Sequence, residues 1–579
     1  MRLIRVYSNQ ASFKTVQFNR TGLSFIIAKQ KDPGSSDKGK TYNGVGKSLL
    51  IRIIHFCLGA GKKEYKTFCE KLTGWEFSLD FEIGNKKFTA LRYTDEPDKI
   101  ILNNEKLSII KFKKKIGVLC FNIPDDISFL SFRSLIPFFI RPKKESYISY
   151  KKPGKTGSDY QSLLYNAFLL GLDIFLAQKK YLIRKEIERI KSLENNFKKD
   201  SLLKDFFTGN KDVVLTIIDL DETIKKLDSN LKNFKVAKDY NEVQVKADKT
   251  GKELFKLNNN ILLLQNNIDN ISKSLELSPD ITKKNITNIY NESKIYFSEN
   301  TSKTLDDLEN FYEKLISNRR IRLLEQQNKL KLEQQNQKAV AGRLQKELDK
   351  SIKYLGDHQA LDIFVSLSNK SAELKAERDN LKKYQDLQTE YKSKEREAEK
   401  NLLELSEITE LYLDEIKSET AELRDYFRSL SKIFYPDSVA GITIDNNDGN
   451  NQLRFDIEAK IESDASDGIN NVKIFCYDLT ILFKGHNHKV NFIFHDSRIF
   501  DGTDERQKTD MFKIVYDKFT DMDKQYIAAV NQNQLDEIKK HMTDKEYNRI
   551  VSQSIVLTLT DESNSAKLLG INVDLGEKY

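Results

Sequence analysis

Asn43-Gly44-Val45-Gly46-Lys47-Ser48 stands between two largely apolar runs, Leu23 to Ala28 before it and Leu49 to Leu58 after it. The first run reads as a buried strand, and the second as a helix that ends near Gly59. Strand, glycine loop, Lys-Ser and helix form the context that a phosphate-binding P-loop requires. Gly44 and Gly46 let backbone N–H groups approach phosphate oxygens, and a helix N-terminus favours the negative charge. Lys47 would reach the β- and γ-phosphates, and Ser48 would ligate Mg²⁺. One position departs from the pattern: Thr41 stands where the consensus has its first glycine. The hydrophilic segment Asp32 to Lys40 reads as an insertion ahead of the loop.

Around that loop, the first 100 residues read as strands. Leu3 to Tyr7 and Thr15 to Phe18 flank a turn. Trp75, Phe77, Leu79, Phe81 and Ile83 alternate along one strand, and Lys87 to Tyr93 and Ile100 to Leu102 continue the meander. This alternation predicts an antiparallel lobe separate from the P-loop unit. Ile116 to Phe121 reads as a further buried strand, Ser131 to Ile136 as a helix start, and Arg141-Pro142-Lys143-Lys144 as a basic loop.

Beyond Pro153 the texture is helical as far as Pro436, broken by one proline, Pro279. Leu254, Leu257, Ile261, Leu264, Ile268, Ile271 and Leu275 are spaced 3-4-3-4-3-4, a heptad seam. Ile183, Ile187, Ile190 and Phe197 form a similar stripe. Leu367, Leu374 and Leu381 recur on the return side, as do Leu305, Leu308, Tyr312 and Leu315. The pattern predicts an antiparallel coiled-coil hairpin turning between Ser278 and Ser302. Interruptions at Phe207 to Asn210 and Leu355 to Asp357 read as elbows or bulges. A folded-back helical bundle fits the same spacing.

From Gly441 the chain returns to strand-rich sequence. Gly441 to Ile444 and Gln452 to Ile461 flank a turn at Asn446-Asn447-Asp448-Gly449, and Val472 to Phe483 is mainly apolar. Val490 to Phe494, Tyr526 to Val530, Ser554 to Leu559 and Leu568 to Leu575 read as the strands of a C-terminal sheet. Hydrolysis at a P-loop needs an acidic group at the end of a neighbouring strand. Val490 to Phe494 runs into His495-Asp496-Ser497 and then Phe500-Asp501-Gly502, which supplies one.

Composition bounds the rest. Of 579 residues, 39% are apolar and 10% aromatic, enough for large cores. No window of roughly 18 uncharged apolar residues offers a membrane span. The N-terminal stretch lacks the apolar core of a signal peptide. Cys57, Cys69, Cys120 and Cys476 are scattered without metal-ligand spacing. These features predict a cytoplasmic, reduced protein with no membrane partner. The net charge of +9 permits nucleic-acid contact without demanding it.

A nucleotide-binding head split between the two ends of a chain, with a helical hairpin between them, resembles the SMC-like branch of ABC ATPases, RecF and RecN relatives included. Asn43 to Ser48, His495-Asp496-Ser497, Phe500-Asp501-Gly502 and Arg506-Gln507 resemble most closely the SMC-like ATPases of bacterial ABC-three-component conflict systems, which act against phage and plasmids. The resemblance implies an α/β fold: an ABC-type P-loop head assembled from residues 1–155 and 436–579, with 156–435 inserted as a coiled coil.

It also implies ATP and Mg²⁺ as ligands and a homodimer through the heads. Double-stranded DNA and companion defence subunits (an effector and a small accessory protein) are the implied partners. Asn43, Gly44, Val45, Gly46, Lys47, Ser48 and Leu49 would form Walker A, with Ser48 and Asp496 on the metal. The Walker B register stays open. Either Asp496 is the metal ligand and Ser497 replaces the water-polarising glutamate, or His495-Asp496 replaces Asp-Glu and Asp496 is the base. The spacing to Asp501, the D-loop aspartate, favours the second register. Ser466-Asp467-Gly468 is a degenerate signature loop, with Ser466 and Gly468 reaching nucleotide across the dimer, and Asn531 takes the switch-histidine position. A RecF- or RecN-like repair ATPase and a nucleotide-regulated scaffold restraining an effector are the alternatives.

Overall fold

A computed structural model describes residues 1–30, 44–154, 157–199, 213–233, 241–276, 305–355, 358–462 and 466–573. Two compact units result: Met1–Arg184 with Leu402–Tyr579, and Lys185–Phe297 with Thr301–Asn401. No helix among the described residues is long and apolar enough to cross a membrane.

In the first unit the strand ahead of the glycine loop is the organising element. β1 (Arg2–Ser8), β2 (Val16–Gln17) and β3 (Gly22–Lys29) open the chain. β3 is buried along nearly its whole length, the signature of a strand covered on both faces. It leads towards α1 (Lys47–Cys57), all of whose residues but Ser48 are buried. β4 (Glu76–Ile83), β5 (Lys86–Tyr93), β6 (Lys99–Leu102) and β7 (Glu105–Ser108) follow, so the meander carries one strand more than the sequence reading gives it. They build a six-stranded sheet in the order β2-β1-β4-β5-β6-β7, antiparallel at every pairing.

One apolar run expected in strand form is a helix instead. Ile116 to Phe121 belongs to α2 (Ile109–Cys120), whose Ser108 cap accepts from Lys111 N. Ile109, Phe112, Ile116 and Cys120 are buried at helical spacing while Lys111, Lys113, Lys114 and Lys115 are not. The 3.6-residue period therefore governs, and only Phe121 makes a bridge, to His488. Arg141 also departs from a solvated basic loop: it is buried and paired with Asp478.

α3 (Asp159–Leu169) and α4 (Ile174–Lys199) lead out of the first unit. In the second unit α5 (Val213–Asn233), α6 (Asn241–Glu276), α7 (Leu305–Leu355) and α8 (His358–Glu415) succeed one another, with α8 running on into the first unit. α6 and α7 are antiparallel. Gln327 donates to Ser272 across 2.7 Å and Gln334 to Gln265 across 2.8 Å, while Leu254 packs with Ala341 and Leu348. Numbers fall on one helix as they rise on the other. α5 and α8 pair the same way through Asp228 with Lys375 and Asp221 with Arg378, over Ile217, Leu220, Ile224 and Leu381. The heptad seam thus buries Leu254, Leu264, Ile268 and Ile271. The expected turn, the side chains of the Leu305 to Leu315 stripe, and the interruptions at 207–210 and 356–357 lie outside the described residues.

The chain re-enters the first unit through α9 (Lys417–Phe434) and the hairpin β8 (Ala440–Asn446) and β9 (Phe455–Ile461), which pair antiparallel. The apolar run Val472 to Phe483 lies in α10 (Asp467–Lys484). A twelve-residue apolar run exceeds strand length, and Ser466 caps the helix by accepting from Ile469 N. β10 (Phe492–His495), α11 (Glu505–Asp521), β11 (Gln525–Asn531), α12 (Gln532–Lys539) and β12 (Ile555–Thr560) complete the unit. The second sheet has the order β10-β11-β3-β12 and is parallel throughout. Leu568 to Val573 forms no strand.

Candidate functional site

Parallel pairing brings the carboxyl ends of three strands to one edge: His495 at the end of β10, Asn531 at the end of β11, and Lys29 at the end of β3. Ligands of open α/β sheets bind in the crevice outside such ends. The loop that enters α1 lies there. Gly44 and Gly46 have φ of 82° and 105°, values that L side chains rarely adopt. Gly46 has a second reason to be glycine, since a Cβ would sit 2.5 Å from Leu568 Cβ. Leu568 N donates to Val45 O across 3.0 Å, so the segment misread as a strand holds the loop instead.

Lys47 Nζ donates to Asn531 Oδ1 across 2.5 Å, and Ser48 Oγ donates to Asp496 Oδ2 across 2.9 Å. Burial lowers the Lys47 pKa, and the charges of Asp496 and Asp501 work against that. Asp496 is 2% exposed. Its Oδ2 also accepts from Arg498 Nη1 at 3.2 Å, and its Oδ1 accepts from Ser497 N at 2.7 Å. Its own backbone N–H donates to Tyr147 Oη across 2.7 Å.

His495 does not join this cluster. Its ring is buried between Tyr526 Oη, 3.0 Å from Nδ1, and Asp478 Oδ2, 3.0 Å from Nε2. Asp478 in turn accepts from Arg141 Nε at 2.5 Å and Nη2 at 2.6 Å, all of it inside the core. Burial pushes the imidazole pKa down. Alternation along β10 explains the outcome: successive side chains leave a strand on opposite faces. The structure thus sets the two side chains apart: His495 lies in the core, and Asp496 meets Ser48 at the start of α1.

Asp501 is exposed as a residue, yet its carboxyl is crowded. Partial withdrawal from water, and then the Asp496 charge, raise its pKa from the ordinary aspartate value. Gln534 Nε2 donates to its Oδ1 across 3.2 Å and to Ser497 O across 3.3 Å. Sequence reasoning passed over Gln534, whose only signal was its place three residues after Asn531 in a capping box. Ser466 is exposed at the start of α10, and Gly468 packs against the backbone of Gly502. Leu49 is buried in α1, and Asn43 lies outside the described residues.

The family model described as "Uncharacterised protein conserved in bacteria" (DUF2326) matches residues 430–573, which take in Ser466, β10, β11 and β12. No curated protein matches the chain. Among solved structures, the Smc head domain with a coiled coil and joint derived from Pyrococcus yayanosii is similar at 14% identity. That alignment covers 93% of each chain with a TM-score of 0.36.

Proposed function

We propose that this chain is an SMC-like ATPase whose head binds Mg-ATP between its two sequence ends. The observation that carries the reading is the hydrogen bond of Ser48 to Asp496, which joins the loop of α1 to the end of β10. Gly44 to Lys47 would hold the phosphates through backbone N–H groups and the Lys47 ammonium. Ser48 and Asp496 offer a hydroxyl and a carboxylate oxygen at one point, a donor pair that suits a hard cation such as Mg²⁺. Mg²⁺, when bound there, would neutralise charge on the phosphates. With Ser497 in place of a glutamate, hydrolysis is slow, and ATP acts chiefly to join two heads. Contact with double-stranded DNA and control of an effector through a small accessory subunit, in a bacterial defence complex, complete the proposal on the strength of the sequence resemblance.

The test is a titration of fluorescent ATP against wild-type and Lys47→Ala protein. Affinity should fall at least tenfold, since a charge-assisted hydrogen bond contributes about 1.5–3 kcal/mol. Unchanged affinity would refute the P-loop assignment. A DNA duplex titrated at several salt concentrations separates the readings further. A steep fall of log affinity with log salt supports the DNA-contacting ATPase, and no binding supports the scaffold.

A further inference from the structure

We propose that Asp501 is the general base of hydrolysis, taking the proton from the water that attacks the γ-phosphorus; this rests on the ATPase reading above. The position after Asp496 holds Ser497, whose hydroxyl donates to Asp496 Oδ1 at 3.2 Å and does not titrate near neutral pH. Both nitrogens of His495 are engaged in the core. Asp496 is committed to Ser48 and Arg498. Among the described residues, the carboxylates whose charges reach Lys47 are Asp496 and Asp501. Asp501 is the one left for proton transfer.

Its placement is built. Gln534, 4% exposed, donates from Nε2 to Asp501 Oδ1 and accepts from Asn531 N with Oε1 at 3.0 Å. Asn531 Oδ1 accepts from Lys47. A chain of hydrogen bonds thus runs from the P-loop cation to the carboxyl. Asn471 of α10 fixes the backbone by donating to Asp501 O at 2.7 Å and Arg498 O at 3.1 Å. The charges facing the carboxyl are Asp496, Lys47, Arg498 and Lys508. Its raised pKa makes it a stronger base than an ordinary aspartate. The residue as a whole is exposed.

In the step, the water oxygen forms a bond to the γ-phosphorus as its proton passes to the Asp501 carboxylate. The bond from phosphorus to the bridging oxygen breaks, and its electron pair leaves with ADP. The carboxyl then returns the proton to solvent.

The experiment uses full-length wild type, Asp501→Asn, Asp501→Ala and Lys47→Ala. It follows single-turnover ATP hydrolysis, fluorescent-ATP affinity, the nucleotide retained through gel filtration, and rescue of Asp501→Ala by sodium formate. Asp501→Asn should hydrolyse about 100-fold more slowly, bind ATP within about twofold of wild type, as a group acting only on the water should, and carry ATP through the column. Formate should restore Asp501→Ala at least tenfold, which a merely structural role would not allow. Wild-type turnover in Asp501→Asn overturns the assignment, as does failure of formate or a wild type that binds ATP without hydrolysing it. Full ATP binding by Lys47→Ala would instead bring down the ATPase reading itself.

Discussion

Ser48 Oγ lies 2.9 Å from Asp496 Oδ2, although 448 residues separate them along the chain. Parallel pairing of β10 with β11 and of β11 with β3 closes that distance, because it brings the carboxyl ends of the three strands into line. If the two groups bind one cation, as proposed, they should behave as a unit. Ser48→Ala and Asp496→Ala should each remove the Mg²⁺-dependent part of ATP affinity, and the double variant should be little worse than either. A double-mutant cycle with and without Mg²⁺ should give a coupling of roughly 0.5–3 kcal/mol. Additive losses would mean that the two side chains serve different ends.

Arg141 and Asp478 carry a different prediction, about stability. The guanidinium reaches Asp478 through two nitrogens and also donates to the carbonyls of Ser146, Ser149 and Tyr150. Removing one partner leaves a buried charge uncompensated, which costs about 3–5 kcal/mol. Asp478→Leu should therefore unfold at much lower urea concentration than wild type. Adding Arg141→Met to it should recover part of the loss. If the double variant is no more stable than Asp478→Leu, desolvation of Arg141 is not the cause.

How far these features were legible in the sequence depends on the range of the forces involved. The strand run ahead of the glycine loop, the alternation from Trp75 to Ile83 and the 3-4 spacing from Leu254 to Leu275 are local patterns, and each emerges as the strand or helix it was read to be. Ile116 to Phe121 misled because a short apolar run is ambiguous. Ser108, the cap of its helix, held the missing information. His495 and Asp496 are adjacent in sequence, and Asp496 carries a role in either register. Only the pleat of β10, with Tyr526 and Asp478 waiting on one side, separates them. The pairing of Arg141 with Asp478 spans 337 positions and leaves no local trace.

Acid should loosen the head through its buried histidines. His488 donates from Nε2 to Ile481 O at 3.0 Å and accepts from Val490 N with Nδ1 at 3.2 Å, a neutral ring. Burial lowers its pKa to about 4. His55 and His495 shift in the same direction, also through burial. A histidine whose folded pKa lies below its unfolded value takes its proton first in the unfolded chain. Stability is therefore full above about pH 6.5 and falls as pH drops towards the folded pKa. For His488 the loss amounts to about 3 kcal/mol once pH reaches 4. Urea melts between pH 7 and 4.5 should show this decline, and His488→Gln should flatten it. A decline of equal size in His488→Gln would assign it to other groups.

Gly468 and Gly342 offer a matched pair of glycines with opposite expectations. A Cβ on Gly468 would lie 2.4 Å from Gly502 O, a backbone atom that no side-chain rotation moves aside. Gly502 follows Asp501, and Asn471 of the same helix holds the Asp501 carbonyl. The methyl of Gly468→Ala must therefore push α10 and the Asp501 loop apart. If Gly44 to Ser48 hold the nucleotide, as proposed, ATP affinity should hold while hydrolysis falls at least tenfold, about 1.4 kcal/mol in the barrier. Gly342 lies within α7, where a Cβ meets nothing within 4 Å. Gly342→Ala should leave hydrolysis alone and stabilise its helix by about 0.8–1 kcal/mol. Measured together, ATP affinity, turnover and melting separate the two cases. Normal turnover in Gly468→Ala would show that the Ser466-capped helix and the Asp501 loop move independently.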